Sequence, residues 1–434
     1  MYIIRYPERG KWKDIVKRPP IDTAQLESTV RGILDNIRTN GDKAVIEYER
    51  KFGCAAIDSL AVTDEERERA MTLISGELLD ALRLAHANIE RFHMAQATVA
   101  HKVETCPGVT CWQKSVPIEK VGLYIPGGTA PLFSTVLMLA TPAAIAGCRE
   151  TVMCTPPRHE GSIHPAILAA ANIAGVKKIF KTGGVQAIGA MAYGTESIPK
   201  VYKIFGPGNR YVMAAKQEVG RHDVAIDMPA GPSEVCVVAD GKCNPEFVAA
   251  DMLSQAEHGA DSQAMLITDS EQVIADVETC IKRLTATLDR GEFIAKSLES
   301  SRLVLVNNLD EAMELSNLYA PEHLIIATEN YNDLAGKVIN AGSVFLGRYA
   351  CESAGDYASG TNHTLPTHGH ATAYSGVNLD SYNRKITFQH ITPEGISSIG
   401  HAVEIMAENE QLTAHRNAMA VRREECEKIK KVQI

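Results

Sequence analysis

From residue 121 onward the chain alternates short apolar runs with longer stretches of helical spacing. VGLYI from Val121, ETVMC from Glu150, KKIFK from Lys177, KVYKIF from Lys200 and VAIDM from Val224 read as strands. Several close on turns, at Gly127-Gly128, Pro156-Pro157, Gly183-Gly184 and Gly206-Pro207-Gly208. HPAILAAANIAG from His164 and VQAIGAMAYG from Val185 have the composition of buried helices. A second series follows: VCVVAD from Val235, QAMLITD from Gln263, RLVLVN from Arg302, LIIAT from Leu324 and SVFLG from Ser343. This is the rhythm of βα units feeding parallel sheets, so an α/β fold with two such units is expected, with ligands gathering at the carboxyl ends of strands. The region from Asp22 to about Gln96 is mostly helical and charged.

Three places carry candidate chemistry. The stretch Ala225 to Gly259 runs from a Gly/Pro turn into the strand, then into a helix with Asn244 at its cap, Pro245 at its first position and Gly259 as its stop. Gln255 and His258 are three apart and share a face of that helix, as ligands for a metal or polar group or as a solvated helix end. Past Gly347 periodicity is lost in RYACESAGDYASGTNHTLPTHGH, a long irregular stretch that offers Glu352, Asp356, His363, His368 and His370. A loop carboxylate beside glycines is a candidate metal ligand; His368 and His370 are read as ordinary polar loop residues. Pro321-Glu322-His323 falls in a turn before LIIAT. Histidine titrates near neutrality and can take an alcohol proton, and a neighbouring carboxylate can activate water.

Composition narrows the classes. A net charge of -9 without Lys/Arg-rich runs argues against nucleic acid as a partner. The 10 cysteines form no CxxC pair, which fits reduced thiols of a cytoplasmic protein better than a disulfide framework. The opening MYIIRYPERGKWKD is too charged for a signal peptide. Val121 to Cys148 has no charged residue, but Pro126, Gly127, Gly128, Pro131, Pro142 and Gly147 divide it into strand, turn and buried helix, so no membrane association is expected. No G-x-G-x-x-G follows a first strand; the nearest motif is G-P-G-N at 206–209.

Longer blocks carry a family resemblance. IDMPAGPSEV from Ile226 with SQAEH ending at His258, GLYIPGGTAPLFSTVLMLATPA from Gly122, KIFGPGN from Lys203 and PEHL from Pro321 are similar to histidinol dehydrogenases. So are AGSVFLG from Ala341, ESAGDYASGTNHTLPT from Glu352 and LTAHRNA from Leu412. The resemblance implies oxidation of L-histidinol to L-histidine by NAD through a held aldehyde, with one zinc per subunit that manganese or cobalt can replace. It implies zinc ligands Gln255, His258, Asp356 and His415, and the bases Glu322 and His323. Substrate contacts would come from Ser233, Gln255, His258, His323, Asp356, His363, Glu410 and His415, and dinucleotide contacts from Tyr124, Gln186 and Asn209. Two incomplete Rossmann-like domains are implied, one of 22–121 plus 235–375 and one of 122–234, with small segments 1–21 and 376–434. A homodimer whose C-terminal segments complete each other's sites is implied as well. A related enzyme for another polar alcohol, such as a sulfonated diol, and a zinc hydrolase remain alternatives at this point.

Overall fold

The computed structural model describes residues 1–19, 24–53, 57–127 and 130–432; Gly128, half of one expected turn, and Asp22, an expected domain boundary, lie outside the described residues. The first strands are β1 (Tyr2–Arg5), β2 (Lys102–Cys106) and β3 (Val109–Pro117). Then come β4 (Lys120–Tyr124), β5 (Glu150–Thr155), β6 (Lys178–Lys181), β7 (Lys203–Phe205) and β8 (Ala225–Ile226). The remainder are β9 (Glu234–Ala239), β10 (Gln263–Thr268), β11 (Arg302–Leu305), β12 (His323–Ala327), β13 (Ser343–Leu346) and β14 (Asn383–Ile391).

Ten of these strands form the two expected series, and each series makes a parallel sheet. One sheet has the order β6-β5-β4-β7-β8 and the other β1-β11-β10-β9-β12-β13. In both, the first strand of the series is central and the chain winds first one way and then the other, the strand order of doubly wound nucleotide folds. The strands are legible because helices cover both faces. All six residues of β9 and of β10 are buried, and within them Val235–Ala239 and Ala264–Ile267 read as unbroken apolar runs. The uncharged segment becomes β4 and the helix Phe133–Ala146, whose apolar residues lie in the same core as Leu82, Ala85 and Ile89. No helix among the described residues is long and apolar enough to cross a membrane.

The charged N-terminal helices pack differently from the sequence grouping of 22–121 with 235–375. Val30, Ile33, Leu34 and Ile37 of the helix Ala24–Phe52 share a core with Val185, Ile188 and Met191 beside the five-stranded sheet. Gly189 permits that approach: a Cβ there would sit 3.0 Å from Ile37 and 3.1 Å from Leu34. An amphipathic helix shows which face it buries, but carries no mark of which sheet it covers.

Residues 97–117 and 383–434 make a second compact unit. Within it β14-β3-β2 form an antiparallel sheet, in which Trp112 stacks on Phe388 at 5.4 Å, and the helices Pro393–Asn409 and Thr413–Val432 pack on each other. Its strands escaped the sequence reading because most of their side chains are exposed or half-buried and polar.

Candidate active site

The helix Leu309–Tyr319 ends on Ala320 in the left-handed conformation, φ 49 and ψ 63. Pro321 follows, and the chain turns into β12, which begins at His323 itself. A non-glycine residue held at positive φ is a local strain of the kind found beside functional groups. Glu322 and His323 are both buried. Glu322 Oε2 accepts the Glu234 N–H at 2.8 Å, and His323 Nδ1 lies 3.3 Å from the Glu234 carbonyl. The two backbone groups of one residue at the start of β9, its N–H and its carbonyl, therefore engage both side chains. Glu234 is itself fixed by Arg18, at 2.6 and 2.7 Å, and by the His368 N–H at 2.7 Å. Burial pushes the Glu322 carboxyl up to about 8, against the opposing pull of the His323 imidazole. Burial alone would lower His323, but the Glu352, Glu322 and Asp356 carboxylates outweigh it and raise the imidazole to about 10.

The helix Pro245–Ala256 starts as expected, with the Asn244 side chain accepting the Glu246 N–H at 3.0 Å. It stops at Ala256 on an ordinary right-handed cap at Glu257, and Gly259 is not among the positive-φ glycines. His258 therefore lies beyond the helix, so Gln255 and His258 do not share a helix face; a Q-x-x-H spacing fits a helix but cannot say where the backbone leaves it. The second correction concerns Asp356. Residues Glu352–Tyr357 form a short helix rather than irregular loop, which puts Glu352 and Asp356 one turn apart. Gly355 disguised that helix in the sequence; it is there because a Cβ would come within 2.5 Å of the Phe345 ring.

The ligand atoms of His258, Glu352 and Asp356 all lie within 4.8 Å of one another. His323 Nε2 is 3.4 Å from Asp356 Oδ1, yet both atoms are buried without a hydrogen-bond partner. Unpartnered buried polar atoms cost roughly 1–3 kcal/mol each, so their persistence here marks a site shaped for a guest. Imidazole nitrogen and carboxylate oxygen suit a divalent cation such as zinc, manganese or cobalt. The buried Asp356 carboxyl stays below the usual range because the neighbouring His323, His363 and His258 rings outweigh desolvation. His363 is fixed by Nδ1 to the Asp356 carbonyl at 3.0 Å and Nε2 to Thr135 Oγ1 at 3.1 Å. Ser233 lines a cavity of about 80 Å3 together with Glu322, His363, Gly206, Lys216 and Asp227. Glu410 and His415 belong to the second compact unit, Glu410 at the end of the helix Pro393–Asn409 and His415 in the first turn of Thr413–Val432, both exposed.

The expected dinucleotide residues stand at the carboxyl ends of the five-stranded sheet. Gly206 has φ 132, and a Cβ on it would lie 2.1 Å from the Tyr124 carbonyl. That turn is clamped by a fully buried ion pair, Lys216 Nζ to Asp227 Oδ1 at 2.5 Å; Lys216 donates to the Gly206 carbonyl and Asp227 accepts its N–H. Asn209 is exposed and caps the helix Arg210–Gly220, accepting from Tyr211 and Val212 N–H at 3.0 and 3.1 Å. Tyr124 and Gln186 are buried and hold the Gly183-Gly184 turn. The Tyr124 hydroxyl accepts the Gly184 N–H at 3.2 Å, and Gln186 donates to Glu49 at 2.7 Å. Glu49 also accepts from Thr182 and Gly183, a role nothing in its helical sequence context signals. Ser233, Glu322 and His323, by contrast, sit at the amino-terminal edge of the six-stranded sheet, opposite to the expectation for parallel sheets.

Two sheets in the strand order of nucleotide folds, with a buried carboxylate–imidazole pair beside a ligand cluster, define an α/β oxidoreductase. The chain belongs to the histidinol dehydrogenase family, whose model matches residues 16–423. It is 65% identical over 422 residues to the histidinol dehydrogenase of Bacteroides thetaiotaomicron, covering 97% of this chain and 99% of that one. The Escherichia coli enzyme of the same name is 48% identical, with 94% of each chain covered. The crystal structure of histidinol dehydrogenase from Elizabethkingia anophelis superposes with a TM-score of 0.96 at 50% identity, covering 98% of each chain.

Proposed function

We propose that this chain oxidises L-histidinol to L-histidine in two successive NAD-dependent steps, through L-histidinaldehyde that stays bound. The observation that carries this reading is the pairing of Glu322 and His323 on the backbone of one residue, Glu234, with His323 Nε2 3.4 Å from Asp356 in the ligand cluster. In the alcohol step His323, neutral once a bound cation offsets the carboxylates that raise it, takes the hydroxyl proton as hydride leaves the carbinol carbon. In the aldehyde step Glu322 takes a proton from water, so that the hydrate forms, and His323 again removes a hydroxyl proton. The two bases thus serve successive steps without rearrangement, because both are pinned to Glu234. Ser233, His363 and Glu410 contact the substrate in this reading.

Gln255, His258 and Asp356 would hold the zinc together with His415. A cation held there would supply positive charge that offsets the carboxylate cluster and an electrophile to which the substrate's polar groups could be oriented, which is catalysis by positioning. Tyr124, Gln186 and Asn209 would border the dinucleotide, which supplies the hydride acceptor. The chain acts as a homodimer in which each site takes Glu410 and His415 of the partner subunit. The test is NADH formation from histidinol, before and after chelation. Two NADH per histidinol, lost on metal removal and restored by zinc or manganese, are expected. Full activity in verified metal-free protein would overturn the assignment of the metal site.

A further inference from the structure

Gln255 is fully buried and offers a site two different ends, a carbonyl oxygen that can bind a cation and an amide nitrogen that repels one. Nothing in its own helix decides which end faces the cluster. Beside it stands Glu352, 1% exposed, at the first position of the helix Glu352–Tyr357. With the amide oriented to satisfy its neighbours, Gln255 Nε2 donates to Glu352 Oε1 at 2.8 Å and Oε2 at 3.2 Å, and to His323 Nδ1 at 3.2 Å. Burial raises the Glu352 carboxyl, but its ionised form, which a bound cation favours, only accepts, so it pairs with the nitrogen and not with the oxygen. We infer that Glu352 is a positioning residue, which locks the Gln255 amide with its oxygen turned away from Glu352 and free for the cation. The family resemblance gives Glu352 no role among the ligands, bases or substrate contacts.

The same helix places Asp356 one turn later, so a single short element delivers a ligand and the group that orients another. The geometry leaves one competing role. Glu352 also lies within 4.8 Å of the ligand atoms of His258 and Asp356, close enough to bind the cation directly.

The inference rests on the metal-binding reading above, and the experiment separates the two. Metal-free full-length protein is titrated with zinc against a chromophoric chelator, for the wild type, Glu352→Ala, Gln255→Ala and the double variant. Loss of an orienting partner of this kind weakens metal binding by about 10- to 100-fold. Glu352→Ala should fall in that range, and Glu352→Gln, which keeps an acceptor oxygen, should lose less. The double variant should bind no more weakly than Gln255→Ala alone, because the orienting group has nothing left to orient. If the two losses multiply, Glu352 meets the cation itself and the inference is overturned; unchanged affinity in Glu352→Ala also overturns it. If Glu352→Ala does not fold, the same cycle is run with Glu352→Gln. If the wild type binds no zinc, the metal reading itself fails and this inference falls with it.

Discussion

Gly342→Ala tests how closely the backbone around Glu322 is set. Gly342 faces the Glu322 carbonyl: a Cβ there would lie 2.6 Å from that oxygen and 3.1 Å from Leu365. The peptides on both sides are held, since Gly342 N–H donates to the Pro321 carbonyl at 2.9 Å and Ser343 N–H to the Glu322 carbonyl at 2.9 Å. Neither strand can yield freely, so part of the displacement falls on the Glu322 peptide. Restoring an ordinary contact needs a shift of roughly 0.8 Å, shared between the two strands, and since a 1 Å misplacement costs on the order of 100-fold in rate, about a tenfold loss is expected. That corresponds to about 1.4 kcal/mol of barrier. The assay follows NADH from histidinol and, separately, from supplied histidinaldehyde. Aldehyde oxidation should fall more than alcohol oxidation, because Glu322 acts only there. Gly336→Ala is the control; its Cβ would be 3.4 Å from the nearest atom, the Asp333 carbonyl, an ordinary contact. A folded Gly342→Ala enzyme that oxidises the aldehyde at the wild-type rate would refute the reasoning.

The two bases should separate: Glu322→Gln should impair aldehyde oxidation far more than alcohol oxidation, whereas His323→Asn should damage both, and equal losses for the Glu322 variant would remove its assigned role. Refolding His258→Ala together with His415→Ala should restore roughly a quarter of normal activity if sites are shared, because about half the dimers are mixed and half of their sites carry neither lesion; no recovery with mixed dimers present would rule sharing out. Asp251 is a stability test. Burial raises its carboxyl to about 7, so the folded state holds a proton that the unfolded chain loses near its ordinary value of 3.8, and stability falls as pH rises between these values and stays low above them. Asp251→Asn should therefore melt above the wild type at pH about 8, by up to roughly 4 kcal/mol, with the gain vanishing near pH 4; a gain independent of pH would contradict this.

Much of this architecture could be read from the residues, and what could not has physical causes. β9 and β10 announced themselves because burial on both faces leaves Val235–Ala239 and Ala264–Ile267 as continuous apolar runs. β14, with seven exposed side chains among nine, offers no such contrast. Gln255, His258, Asp356, Glu322 and His323 lie close together, although the sequence put two of them on the wrong local backbone. Glu352 was visible as a carboxylate, but its role depends on a helix that Gly355 concealed. Arg18, Glu234 and Glu49 act through contacts between residues far apart in the chain, which no local pattern encodes.

The position of β1 has a consequence for how the chain acquires its fold. Tyr2–Arg5 pairs only with Arg302–Leu305, at the outer edge of the six-stranded sheet. Arg18 likewise must wait for Glu234 and for the carbonyl of Tyr319. During synthesis Tyr2–Arg5 therefore waits for its partner until some three hundred further residues have emerged, whereas the strands of the five-stranded sheet all lie within residues 120–226. Nascent chains should therefore pass through a stage with one sheet formed and an unpaired, apolar leading strand, a species dependent on chaperone protection.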